Sequence, residues 1–156
     1  MPEGPITHLS YSQVSTYLTC PLRYRFQYVE LIPPAFTPAA LAFGSAVHEA
    51  VAAYYRSRLE GDVLRPDQML DVYRETWRGG EGIKFFNGDS EESLLEKAGL
   101  LIAVFHERVD PHVTVLGVEE FFEVQLAKEV PLFHGYIDLI EEDQDGHVTV
   151  ADLKTA

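Results

Sequence analysis

Asp138, Asp152 and Lys154 have the residue types and spacing to hold a divalent cation beside a phosphodiester. Asp138 lies in Gly135-Tyr136-Ile137-Asp138-Leu139-Ile140, and the other two in Val148-Thr149-Val150-Ala151-Asp152-Leu153-Lys154. Paired carboxylates suit a hard cation such as Mg²⁺, which prefers oxygen ligands. Such an ion polarises a phosphate and lowers the pKa of a bound water. A lysine is a compact, mobile point charge that can orient a water or stabilise an anionic transition state.

Asp143-Gln144-Asp145-Gly146 joins the two segments. Gly146 accepts the positive φ that closes a three-residue hairpin loop. With Gln144 to Gly146 as the loop, Asp143 faces His147, Asp138 faces Asp152 and Tyr136 faces Lys154. Directly opposed Cβ atoms lie about 4.5–5.5 Å apart. Positions 152 and 154 share a face because strands alternate with period two. All three groups then converge on one patch. Ile140 and Val150 lie on that face, and Ile137, Leu139, Ala151 and Leu153 on the reverse. Apolar residues on both faces predict a strand pair covered on both sides, as in an α/β core. The same three charges also fit an ordinary cross-strand salt-bridge cluster.

Four helical segments precede the strands. Ser10 and Gln13 make a capping-box pattern that starts the first helix. Pro21 kinks or restarts it, and Pro33-Pro34 ends it. Pro38 opens a second helix through about Leu59, with Phe43, Val47, Ala50 and Tyr54 on one stripe. A third runs from Pro66 to Trp77, followed by a loop at Gly79, Gly80 and Gly82. The fourth spans Ser90 to Val109, with Leu94, Ala98, Leu101, Phe105 and Val109 at helical spacing. Strands follow at Val113–Leu126, Leu132–Glu142 and His147–Lys154.

His48 lies about a quarter-turn from the apolar stripe of its helix, on a face with Leu41, Gly44, Ala52 and Tyr55. A lone helical histidine of this kind fits either a packing residue or a ligand. Glu119 fits either a metal shell or a surface carboxylate. Arg23 and Arg25 fit phosphate contacts or plain helix solvation, and His134 is expected on a non-catalytic face. Glu141, Glu142, Asp143 and Asp145 read as a solvated hairpin tip.

At 156 residues with 46% hydrophobic content the chain is long enough for one domain with a real core. No apolar run is long enough to span a bilayer and no signal-peptide pattern opens the chain, so a cytoplasmic protein without a membrane partner is expected. Its single cysteine, Cys20, excludes an intrachain disulfide framework and reads as a small packed residue. The net charge is −13. Residues 1–80 hold seven Lys/Arg against eight Asp/Glu, and residues 81–156 five against seventeen. Nucleic-acid binding more often shows a basic footprint.

Leu9-Ser10-Tyr11-Ser12 through Thr19-Cys20-Pro21-Leu22-Arg23-Tyr24-Arg25-Phe26 resembles the opening of RecB-like nucleases of the PD-(D/E)XK superfamily. Phe43-Gly44-Ser45-Ala46-Val47-His48-Glu49 resembles that family's Gly-x-x-x-His helix, and the segments around Asp138 and Asp152 resemble its metal-binding motifs, in order. The resemblance implies a restriction-endonuclease-like α/β core over 1–156, helical over 1–110 with a mixed sheet and active site over 111–156. It implies His48, Asp138 and Asp152 as metal ligands, and Asp138, Asp152 and Lys154 as the catalytic set. The cofactor would be Mg²⁺ or Mn²⁺; Mn²⁺ tolerates imidazole as well as carboxylate. The implied function is metal-dependent DNA hydrolysis in repair or recombination, often exonucleolytic, on single strands or ends, with a helicase or recombination partner. The alternatives are a CRISPR-associated iron–sulfur nuclease and a non-catalytic DNA-binding or assembly module. One cysteine cannot ligate a cluster, so a cluster through Cys20 would need a longer chain. The family continues past this lysine into a helix with a Gln-x-x-x-Tyr motif, whereas this chain ends at Ala156. A fragment with open apolar surface, prone to homo-oligomerise, is the resulting expectation.

Overall fold

The computed structural model describes residues 7–78 and 82–154. The chain divides into two compact units, one of residues 1–34 and 121–136, the other of residues 35–120 and 137–156. In the first, β1 (His8–Leu9) is followed by α1 (Tyr11–Thr19). Ser10 caps α1 as a full capping box. Its Oγ accepts from the Gln13 N–H at 3.3 Å, and Gln13 Oε1 accepts from the Ser10 N–H at 2.9 Å. Pro21 restarts the helix as α2 (Pro21–Tyr24), which runs into a π-helical turn over Arg25–Val29. Cys20 is half-buried, and its Sγ accepts from the Arg23 N–H at 3.5 Å, capping α2. β1 pairs in parallel with the start of β5 (Leu132–Glu142), His8 opposite Leu132 and Leu9 opposite Phe133. His134 stacks on His8 at 4.0 Å between ring centroids.

The second unit holds the core. Its helices are α3 (Ala39–Leu59), α4 (Pro66–Arg78) and α5 (Glu91–Arg108). The stripe Phe43, Val47, Ala50 and Tyr54 of α3 is buried, together with Met69, Tyr73 and Trp77 of α4 and Leu94, Ala98 and Ile102 of α5. Each fully buried large side chain contributes about 1.5–3 kcal/mol of hydrophobic stabilisation. Ser90 caps α5, its Oγ accepting from the Ser93 N–H at 3.2 Å. The Arg58 guanidinium donates to the carbonyls of Asp110, Pro111 and Val113, tying the end of α3 to the chain beyond α5. Burial, with Glu141 adding to it, pushes the Tyr55 hydroxyl up to about 12.

Three short strands were not foreseen. They are β1 and the parallel pair β2 (Thr37–Pro38) and β3 (Ile83–Lys84). Two-residue strands carry too little alternation to read from sequence. Of the expected glycine loop, Gly79 and Gly80 lie outside the described residues. Gly82 has φ 71° and leads into β3.

The main sheet has strand order β1–β5–β4, with β4 spanning Thr114–Val124, and β6 (Val148–Ala151) also pairs β5. With β1 parallel and β6 antiparallel to β5, the sheet is mixed. The hairpin has the expected register, with Leu139 opposite Ala151 and Glu142 opposite Val148. Gly146 has φ 82°, and the Asp143 N–H donates to the His147 carbonyl at 3.0 Å. Two expectations are corrected. β6 ends at Ala151, so Asp152 and Lys154 follow the strand and do not lie within it. The strand pair is also not covered on both faces. Leu139 is 2% exposed, whereas Val148 and Val150 are 59% and 63% exposed. Leu139 joins the core cluster with Ala151 packed against it, whereas Val148 and Val150, at the alternate positions of β6, are exposed.

Candidate metal centre

Three elements bring His48, Glu119 and Asp138 together. His48 sits on α3, Glu119 on β4 and Asp138 on β5, and one ligand atom from each lies within 4.8 Å of the others. All three are half-buried. His48 Nε2 is 2.6 Å from Glu119 Oε1; with Glu119 ionised, Nε2 carries the proton and donates. Asp138 Oδ2 accepts from the Leu153 N–H at 2.7 Å. One of its carboxylate oxygens lies within 4.8 Å of a ring nitrogen of His48 and a carboxylate oxygen of Glu119. One imidazole nitrogen and two carboxylates form a donor set that suits Mg²⁺ or Mn²⁺.

The backbone at Glu119 departs from ordinary strand geometry, with φ 55° inside β4. A left-handed residue there breaks the period-two alternation, as a bulge does. Val115 and Gly117 are buried before it and Phe121 is exposed after it, so inward positions change parity. From this position the carboxylate of Glu119, in step with inward Val115 and Gly117, reaches His48.

Asp152 and Lys154 lie elsewhere. Lys154 Nζ donates to Asp152 Oδ1 at 2.8 Å, and the two side chains are 76% and 65% exposed. Asp152 is therefore absent from the His48–Glu119–Asp138 group. The ladder predicts it opposite Asp138, but two facing carboxylates repel. After Ala151 the chain instead turns a main-chain N–H to Asp138, and Lys154 neutralises Asp152.

Two clefts meet at His48. One, of about 650 Å³, is lined by Ala40, Leu41, Gly44, Ser45, His48, Glu49, Arg56 and Glu119. The other, of about 230 Å³, places Leu153 and Lys154 beside His48 and apolar residues of α3 and α5. Lys154 thus shares a cleft with one member of the triad although it is not in the triad.

The remaining candidates are placed as follows. Arg25 Nε donates to Glu30 Oε1 at 2.6 Å, and Arg23 contributes its main-chain N–H to the Cys20 cap. Asp143, Asp145 and His147 form a second group of potential ligands, exposed at the hairpin tip. Asp143 already serves that turn: its carboxylate accepts from the N–H groups of Asp145 and His147, each at 2.9 Å. Chiefly the His147 N–H holds its carboxyl below the usual aspartate value.

A family model described as the PD-(D/E)XK nuclease superfamily matches residues 8–156. The match covers nearly the whole chain, and the protein belongs to this superfamily of metal-dependent nucleases. No curated protein and no solved structure matches it. N-terminal helices followed by a mixed sheet agree with the superfamily's fold.

Proposed function

We propose that this chain is a RecB-like deoxyribonuclease that hydrolyses DNA phosphodiesters with Mg²⁺ or Mn²⁺ held by His48, Glu119 and Asp138. The observation that carries the reading is the convergence of those three side chains from a helix and two strands. Half-buried carboxylates and an imidazole are costly to gather unless they are paired or hold a cation. Bound there, the ion supplies phosphate polarisation and a more acidic water.

The chain's own residues do the rest. Asp138 is fixed by the Leu153 N–H, so its free oxygen needs no reorganisation to meet an ion. His48 must give up its hydrogen bond to Glu119 and present Nε2 unprotonated. Asp152 is proposed as a further ligand and catalytic carboxylate, released from Lys154 as substrate enters. Lys154, two residues on, then stabilises charge on the phosphate in the transition state. Exonucleolytic action on single strands or ends, a role in DNA repair or recombination with a helicase partner, a cytoplasmic location and a single nuclease domain over 1–156 belong to the same reading. A cluster at Cys20 would need further cysteines from a longer chain.

DNA degradation by the purified protein in Mn²⁺ tests it. Lys154→Ala should remove turnover and leave Mn²⁺ binding nearly intact, because the lysine serves the transition state. Asp138→Ala should lose both. Full degradation by Lys154→Ala would leave Asp152 and Lys154 as a surface ion pair.

A further inference from the structure

Arg56 stands out along the larger cleft. It lies on α3 and lines that cleft together with Gly44, Ser45, His48 and Glu119. Its guanidinium is held end-on by Glu49, Nη1 donating to Oε1 at 2.9 Å and Nη2 to Oε2 at 3.2 Å. The two residues are seven apart on one helix, about 10.5 Å at 1.5 Å per residue. Helical side chains point toward the N-terminus, so Arg56 reaches back until its guanidinium lies level with Glu49, the neighbour of His48. A fixed guanidinium is thereby brought toward the ion site from well down the helix.

Surface ion pairs of this kind contribute little to stability, about 0–1 kcal/mol. This one has features that a plain surface pair does not need. The Arg56 side chain is 43% exposed and opens on a cleft that also contains two of the three candidate ligands. Glu49 occupies one hydrogen of each Nη, which leaves Nε–H and two further N–H groups without a partner among the described residues. Nε–H and the N–H of the Nη beside it form a side-on fork whose two parallel donors match a phosphate, a geometry that Arg offers and Lys does not. Hydrogen bonding to Glu49, with the fields of Glu49 and Glu119 added, keeps the guanidinium firmly charged.

We infer that Arg56 binds a backbone phosphate of the nucleic-acid substrate next to the ion site, oriented for that task by Glu49. The inference rests on the nuclease reading above and extends it, since it assigns the larger cleft as the path of the strand. It also answers the acidity of the chain. In a surface with this excess of carboxylates, a pre-oriented cation beside the ligands offsets repulsion of the phosphates where it matters most.

The test is anisotropy of a fluorescein-labelled single-stranded oligodeoxynucleotide, with Ca²⁺ as the ion, across a salt series. Each lost phosphate contact lowers the slope of log affinity against log salt by about 0.7 on a single strand. Arg56→Gln should lower it by that amount and weaken binding about tenfold. Arg56→Lys should restore the slope, because it restores the charge, but only part of the affinity, because the planar fork is lost. Mn²⁺ calorimetry and urea unfolding on the same variants report the ion site and the fold separately. Unchanged slope and affinity in a folded Arg56→Gln would overturn the inference and leave Arg56 as a plain helix ion pair. So would failure of the wild-type chain to bind the oligonucleotide. Failure of the wild type to bind Mn²⁺ would instead overturn the ion site, and the salt slope would still report on Arg56.

Discussion

Glu119 holds φ 55° in the middle of a strand, a conformation that costs a residue with a Cβ about 1–2 kcal/mol. Such strain persists where the surroundings impose it, and it clusters at functional sites. Here it aims a carboxylate at His48, 2.6 Å away. Glu119→Gly should therefore separate the two effects. Stability in urea without metal should hold or rise by up to about 1 kcal/mol, because glycine accepts this backbone. Mn²⁺ affinity should fall by about tenfold or more, as for loss of a group around a metal. A destabilised variant with full Mn²⁺ affinity would show that Glu119 serves packing alone. Motif order singles out His48 and Asp138, and the structure brings those two together. Glu119 reads equally as a metal-shell residue or a surface carboxylate, because nothing local in the sequence marks the left-handed backbone that it adopts. The position of Asp152 was not legible either. Register alone puts it opposite Asp138, and the register is as expected, but the strand ends one residue too soon.

The helices behind the site were largely readable, since each carries its own boundary chemistry. Ser10 caps as expected, the helix expected from Ser90 begins there with Ser90 as its cap, Pro21 restarts a helix, and Pro38 and Pro66 stand at helix starts. Strands two residues long left no pattern, and the covering of the hairpin could not be read from alternation alone. Ile140, Val148 and Val150 look like core residues by type, yet which face meets a helix is decided by tertiary placement. Energetics should follow that placement. Ile102 of α5 is 1% exposed and lines the smaller cleft with Val47 and His48. Ile102→Ala should cost about 2–5 kcal/mol in urea unfolding, whereas Val150→Ala, at a site 63% exposed, should stay within about 0.5 kcal/mol. A large loss in Val150→Ala would mean that this face of the hairpin is covered in solution.

At the scale of the whole chain, charge is the dominant fact. The unit of residues 1–34 and 121–136 holds three Lys/Arg against four Asp/Glu, and the other unit holds nine against twenty-one. All of His48, Glu119, Asp138, Asp152 and Lys154 belong to that acidic unit. Its field favours cations before any contact is made, and a bound divalent ion would be the largest local charge there. No helix among the described residues is long and apolar enough to cross a membrane. The proposed site puts a catalytic divalent ion in this acidic unit, at His48, Glu119 and Asp138. Calorimetric titration of the protein with Mn²⁺ tests it most directly, wild type against Asp138→Ala. The account predicts one or two sites in the wild type and loss of the tightest in Asp138→Ala. Equal binding by the two proteins would place the ion elsewhere and contradict the account.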